Sequence, residues 1–398
     1  MLKGNLIILV TCQLISTTGT TVIVTLGGII GSILTGNQAL ATLPVSMMVV
    51  GVAATTIPAT MLMRKIGRSR GFAIASISAA AAVVVAVIAI INGSFLIFVI
   101  ATTLFGINLA FSQQYRFAAA ESVPSQYVPR AVSFVLLGSI GGAILGPELA
   151  TRGELWIDAV PFSGTMLALA GLYVLQALLF LRLKGINESS DEASNENRRE
   201  LKQIISQPVF LVAVLGGTVG WGIMTLVMTA TPLSMHINDG FSLEQTAGVI
   251  RAHVLGMYVP SLISGFLIER FGVSRLMFSG ALILLITSTV GLLGQTVLHY
   301  LWAMMLLGVG WNFLYVSGTT MLTYTYSTQE RFRAQAVNEF LIFGTSATTS
   351  LLAGTIMFYF GWFRLMLVPI PLLILVCIAI IMVRRNPMLG WSVQTSES

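Results

Sequence analysis

Apolar runs of about 20 residues follow one another along almost the whole chain, and this recurrence limits the possible folds more than any other feature. A helix rising about 1.5 Å per residue needs roughly 20 such residues to cross the hydrocarbon of a bilayer. Runs bounded by glycine, proline and charge lie near 5–32, 40–63, 72–91, 95–119, 131–150 and 162–183, then near 208–230, 247–268, 275–297, 301–326, 336–359 and 364–383. Only 9% of the 398 residues are charged and 56% are hydrophobic, where a soluble domain carries roughly a quarter charged. The chain is therefore predicted to be an all-α polytopic membrane protein of twelve transmembrane helices, and a water-soluble globule is excluded. Runs such as Ala79–Ile91 do not alternate, which argues against a transmembrane barrel. The 38 glycines and 18 methionines suit helices whose backbones approach closely. The Met1-Leu2-Lys3 start resembles a signal peptide, but it lacks a small-residue cleavage site and runs on through Ile30, so it reads as the first span.

The one strongly polar stretch, NESSDEASNENRRE, separates the two sets of six. It divides the chain into a six-helix bundle over 1–183, a linker over 184–207, a second bundle over 208–385 and a tail over 386–398. With the N-terminus in the cytoplasm, 17 of the 21 basic residues fall on that side, against Arg152, Arg251 and Arg364 on the other, and Arg116 lies within a span. This bias predicts a multi-pass protein of the bacterial inner membrane with both termini cytoplasmic. It also explains the net charge of +6 without nucleic acid. Cys12 and Cys377 sit in apolar runs at opposite ends of the chain, which supports neither a disulfide nor a metal site. No metal or other cofactor is expected.

The halves echo each other. A shift of 205 matches MRKIGRSR (63–70) with IERFGVSR (268–275); Asn108 and Asn312 each fall two residues after Gly106 and Gly310, and Arg130-Ala131 has a counterpart in Arg333-Ala334. Parallel repeats imply a pseudo-two-fold axis along the membrane normal and a site at the interface of the halves.

The second-half loop, with Gly265, Glu269, Arg270, Gly272 and Arg275, resembles the G-x-x-x-D/E-R-x-G-x-x-R signature of the major facilitator superfamily. Its first-half copy keeps Gly67, Arg68 and Arg70 but has Arg64 at the acidic position and Thr60 at the first glycine. In span five, Gly138, Gly141, Gly142, Gly146 and Pro147 resemble the glycine-rich G-P motif of proton-driven antiporters in that superfamily, without its downstream glycine pair. Close helix packing, a proline hinge, or packing alone accounts for that stripe. The arginine that many antiporters place in span four is missing, since Thr102 stands four residues ahead of Gly106. YRFAAAE (115–121) and HVLGMYVPSL (253–262) resemble a group of bacterial members, some of them linked to riboflavin uptake.

The resemblance implies two six-helix pseudo-symmetric bundles and a cavity lined by spans one, four, seven and ten. Candidate substrate-binding residues are Gln13 and Thr17 in span one, Asn108, Ser112 and Arg116 in span four, Trp221 and Thr225 in span seven, and Trp311, Asn312 and Tyr315 in span ten. Thr319 and Thr323 share the last helix. Arg116 reads either as a clamp for an anion or carbonyl, or as half of an ion pair with Glu121 or Glu339. Ionisable groups at membrane depth are functional candidates. Glu148, Arg251 and His253 are expected to meet near the outer ends of spans five and eight and to couple protonation to gating. Glu339 is a second candidate proton carrier, or else an acid at a helix start.

The function expected is secondary active transport of a small organic solute by alternating access, coupled to protons, by a monomer. Efflux antiport is slightly favoured over uptake of a polar nutrient such as riboflavin or a siderophore. No phosphate-binding loop, H-E-x-x-H or G-x-S-x-G motif is present, so no enzymatic activity is expected.

Overall fold

The structure, a computed structural model, describes residues 2–115, 118–119, 122, 128–153, 156–157, 160–183, 199–327 and 330–384. Among them every long element is helical. The first half holds α1 (Leu2–Thr35), α2 (Leu43–Ile66), α3 (Arg68–Ile91), α4 (Phe95–Ser112), α5 (Val128–Gly153) and α6 (Ser163–Phe180). After one helical turn at Leu201–Ile205 come α7 (Pro208–Pro232), α8 (Leu243–Tyr258), α9 (Ser261–Phe271), α10 (Val273–Leu293), α11 (Val297–Thr323), α12 (Arg331–Leu367) and α13 (Pro369–Val383).

Departures from the expected spans have local causes. The helix α4 ends at Ser112, where the last turn tightens and Gln114 N donates to the Phe111 carbonyl three residues back at 2.9 Å; Tyr115, Ala118 and Ala119 beyond it are helical again. Arg116, the third residue of the face expected to run Asn108–Ser112–Arg116, lies outside the described residues. The seventh span is longer than expected. Pro232 has no N–H to give, and the chain continues as a wider π-helical turn over Leu233–Asn238. The eighth span is two helices, α8 and α9, broken ahead of Pro260. Spans eleven and twelve meet at a glycine corner, since Gly361 inside α12 has φ 70° and ψ 178°, which a side chain would disfavour.

Two loop glycines carry the repeat into the backbone. Gly67 joins α2 to α3 at φ 85°, ψ 155°, and Gly272 joins α9 to α10 at φ 85°, ψ 150°. Close crossings extend it. A Cβ on Gly51 would strike the Thr103 carbonyl and one on Gly106 the Met48 carbonyl, so α2 and α4 touch backbone to backbone. In the second half a Cβ on Gly256 would strike the Met305 carbonyl and one on Gly308 the His253 carbonyl. Gly51 and Gly256 are 205 residues apart, and Gly106 and Gly308 are 202 apart. The structural partner of Gly106 is therefore Gly308, not Gly310, and Asn108 and Asn312 are not equivalent positions.

The chain packs as two compact units that do not follow the halves of the sequence. Unit 1 takes residues 1–190, 228–251 and 350–359. In it α1 lies along α5, α2 along α4, and α3 against α4 and α6. Its core joins Val22, Leu26, Phe98, Phe105 and Tyr173, with a second cluster around Phe72, Tyr115 and Phe180. Unit 2 takes residues 191–227, 252–349 and 360–398, with α10 packed between α11 and α13. Many large apolar side chains stay exposed, among them Ile7, Leu96, Leu293 and Met382, as a surface solvated by lipid requires.

Candidate functional site

In unit 1, Gln13 and Thr17 lie one turn apart on α1. Gln13 Nε2 donates to Ser139 Oγ on α5 at 2.9 Å and to Thr17 Oγ1 at 3.3 Å. The glycines of α5 bring these helices together. A Cβ on Gly138 would strike the Val10 carbonyl, one on Gly142 would lie 2.7 Å from the Leu14 oxygen, and one on Gly146 3.0 Å from the Thr18 oxygen. The helix continues through Pro147 to Gly153 as one element, and Thr151 Oγ1 donates to the Pro147 carbonyl at 3.0 Å. Asn108 is 1% exposed and its Nδ2 has no acceptor; Ser112 Oγ returns to the Leu109 carbonyl at 2.8 Å. Deeper in, Gln176 Nε2 sits 2.9 Å from both Ser16 Oγ and Tyr115 Oη, a buried polar knot that joins α1, α6 and the residues after α4.

The charged cluster forms only in part. Glu148 on α5 accepts from Arg251 on α8 at 2.6 Å and pairs with Arg152, one turn along its own helix, at 2.9 Å. His253 does not join them. Its Nδ1 faces the Met304 carbonyl at 2.9 Å and its Nε2 is buried without a partner. The imidazole packs where Gly308 lets α11 approach α8.

The same end of unit 1 holds a neutral cluster that sequence reading missed. Ser46 Oγ on α2 donates to the Ser350 carbonyl on α12 at 2.6 Å, Ser350 Oγ donates to Ser46 Oγ at 3.0 Å, and Thr229 Oγ1 on α7 lies 3.2 Å from Ser350 Oγ. All three residues are at most 4% exposed. Ser46 lies 205 residues before Arg251, and Glu148 lies 202 residues before Ser350, the two shifts that the glycine crossings fix. Applied to Arg251 and Glu148, those shifts would have pointed to this pair.

Unit 2 gathers aromatic rings. Trp221 on α7 stands edge-to-face against Trp311 (centroids 5.0 Å, 84°) and Tyr315 (5.6 Å, 84°) of α11. Trp311 and Tyr315 stack at 5.1 Å and 12°, and Phe343 closes on Trp221 at 5.9 Å. Both indole nitrogens are buried without an acceptor, and Trp311 is only 4% exposed. Thr225 lies buried one turn beyond Trp221. Asn312 is engaged elsewhere. Its Nδ2 donates to the Met257 carbonyl at 2.8 Å and to Ser261 Oγ at 2.5 Å, and its Oδ1 accepts from Ser264 at 2.7 Å. It clasps the break between α8 and α9, whose carbonyls Pro260 leaves short of donors. Glu339 on α12 is half-buried, with Asn338 Nδ2 at 3.4 Å.

Of the signature loops, Arg68 and Arg70 open α3 after Gly67, Arg270 lies over the Phe271 ring at 5.6 Å, and Arg275 stands in the first turn of α10. Gly265 has open space where a Cβ would go. Nothing in its own unit demands glycine there. The side chain of Glu269 lies outside what is described, as do Glu121 and the linker 184–198. Beyond that linker Arg199 grips the loop before α12. Its backbone N and Nε donate to Glu330 Oε1 at 3.0 and 2.9 Å, and one Nη donates to Glu330 Oε2 at 2.7 Å. The guanidinium and the Ser327 N–H hold the Glu330 carboxyl well below the usual carboxylate range, and the carboxylate in turn raises the Arg199 pKa. Among the described residues no group of three His, Cys, Asp or Glu could hold a metal ion.

The sequence profile of the Major Facilitator Superfamily matches residues 9–257 and 236–397. The riboflavin transporter RfnT of Brucella anthropi is 35% identical over 382 residues, which is 96% of each chain. An uncharacterized MFS-type transporter of Bacillus subtilis, YdeG, is 29% identical over 374 residues, covering 89% of this chain and 86% of that one. Among solved structures, a bacterial homolog of the human lysosomal transporter Spinster, inward-facing and unoccupied, superposes with a TM-score of 0.75 at 13% identity over 96% of both chains. The nucleoside transporter NupG does so with a TM-score of 0.67 at 14% identity over 96% of this chain and 98% of its own.

Proposed function

Since the chain belongs to the major facilitator superfamily and is a multi-pass membrane transporter of small solutes, we propose that its solute is a flat heteroaromatic molecule of the riboflavin class. The observation that carries this reading is the Trp221–Trp311–Tyr315 cluster. Rings held edge-to-face and stacked offer a rigid apolar surface that prefers planar partners and loses little conformational entropy on binding. The relative whose name states a riboflavin substrate matches along 96% of the chain, which supports the same class.

Coupling to protons belongs to this proposal and rests on Glu148. Its carboxylate faces two arginines, and a proton on it removes the charge that both hold. The 17-to-3 distribution of basic residues supports cytoplasmic termini in a bacterial inner membrane. The second reading, efflux of lipophilic compounds, draws on the Gly138–Gly142–Gly146 stripe packed on α1.

Thermal unfolding of the purified protein with riboflavin, and in parallel with lipophilic cations, tests the class. A ligand at about 100 times its Kd stabilises by roughly 2.7 kcal/mol. Stabilisation by riboflavin supports the proposal. Stabilisation by lipophilic cations alone replaces it with the efflux reading.

A further inference from the structure

The Glu148–Arg251 pair and the Ser46–Ser350 pair hold the same two positions of the repeat. Arg251 and Ser46 lie 205 residues apart on α8 and α2, and Glu148 and Ser350 lie 202 apart on α5 and α12. Each pair ties a helix of the first half to a helix of the second, and both lie within unit 1. The chemistry is different. One latch is ionic and about one-third exposed; the other is a buried triangle of hydroxyls, Ser46, Thr229 and Ser350, that draws in α7 as well. Next to the triangle a Cβ on Gly354 would strike Thr42 Oγ1 and lie 3.1 Å from the Ala39 carbonyl, so α2 and α12 meet there with no room for a side chain.

We infer that the Ser46–Thr229–Ser350 triangle is a second, uncharged latch, which closes this end of the transporter together with Glu148–Arg251 and must break for that end to open. The inference rests on the alternating-access reading above. The three hydroxyls are buried in the closed arrangement, and although Ser46 Oγ also lies 3.1 Å from the Thr42 carbonyl of its own helix, the bonds that cross to Ser350 are lost when the helices part, so they favour the closed arrangement. No member of the triangle is ionisable at physiological pH, so a change of proton concentration leaves this latch intact. Protonation alone is then insufficient to open this end.

The test is a distance measurement between spin labels at Leu40 and Tyr359, which are 41% and 66% exposed, in the full-length protein in lipid nanodiscs. The wild type is compared with Ser350→Ala, Ser46→Ala and Glu148→Gln, and with Ser350→Thr, which keeps a hydroxyl. A net hydrogen bond corresponds to roughly a fivefold change in an equilibrium. The expected result is a rise of about fivefold in the ratio of long to short distances for Ser350→Ala and for Ser46→Ala, reversed by Ser350→Thr, with a further rise when Glu148→Gln is added. If Glu148→Gln lengthens the distance and neither serine variant does, the second latch is wrong and the transport reading stands. If no variant, with or without riboflavin, populates a longer distance, the alternating-access reading itself fails.

Discussion

Arg251 on α8 reaches Glu148 on α5 across 103 residues of sequence with an Nη–Oε1 distance of 2.6 Å, and the carboxylate's other oxygen is held by Arg152. One acid thus bridges two cations at one end of unit 1. The arrangement costs little to loosen, because Glu148 and Arg251 are about one-third exposed. Glu148→Gln is expected to lower unfolding stability by no more than about 1 kcal/mol while abolishing any dependence of flux on the pH gradient. Retention of gradient-driven flux by this variant would remove Glu148 from the coupling.

Asn312 behaves as a clasp. Asn312→Ala removes the side-chain donor to the Met257 carbonyl and Ser261 Oγ, while Ser264 Oγ keeps the Pro260 carbonyl at 2.8 Å, and it is expected to destabilise the protein by about 1–2 kcal/mol in reversible denaturation. Trp311→Phe, one residue earlier, removes an N–H that has no acceptor, and is expected to stay within about 1 kcal/mol of the wild type. The contrast between these neighbours checks the hydrogen-bond assignment.

The Arg199–Glu330 clip makes a prediction about acid. Glu330 ionises more readily in the folded protein than in the unfolded chain, whose carboxyl has a pKa of about 4.3. Its contribution is therefore complete above that value and drains away as pH falls through the lower folded-state pKa. Glu330→Gln is expected to cost about 1–2 kcal/mol at pH 7, a figure kept low because Arg199 is 44% exposed, and to flatten stability against pH below about 4. Chemical denaturation between pH 3 and 7 reads both effects.

The glycine crossings forbid volume. Gly106→Val or Gly308→Val pushes a side chain into the Met48 or His253 carbonyl and is expected to cost about 2–4 kcal/mol or to prevent folding. Gly265→Ala, inside α9, meets open space and is expected to stabilise the protein by about 0.5–1 kcal/mol through helix propensity.

The twelve apolar runs were legible because the bilayer sets their length, and Gly67 and Gly272 because a turn at φ 85° favours glycine. The repeat register was legible only in its loops. Gly106 reads equally well against Gly308 or Gly310, and the close approach of the Met48 and His253 carbonyls decides it. Glu148 and Arg251 stood out as charges at membrane depth. Ser46, Thr229 and Ser350 did not, since hydroxyls are common in such helices and most return a bond to their own backbone, as Thr21 and Thr25 do. His253 shows the converse. A lone imidazole near two charges invites a coupling role, yet its Nδ1 is committed to the Met304 carbonyl.

The most direct test of the proposed function is flux of radiolabelled riboflavin into proteoliposomes of the wild type and of Trp311→Ala, with and without a pH gradient. The account predicts saturable, gradient-sensitive flux above empty liposomes and a loss of at least about tenfold in apparent affinity for the variant, the share expected of one aromatic wall. Wild-type flux indistinguishable from empty liposomes, from a preparation that is folded and monodisperse, would contradict it.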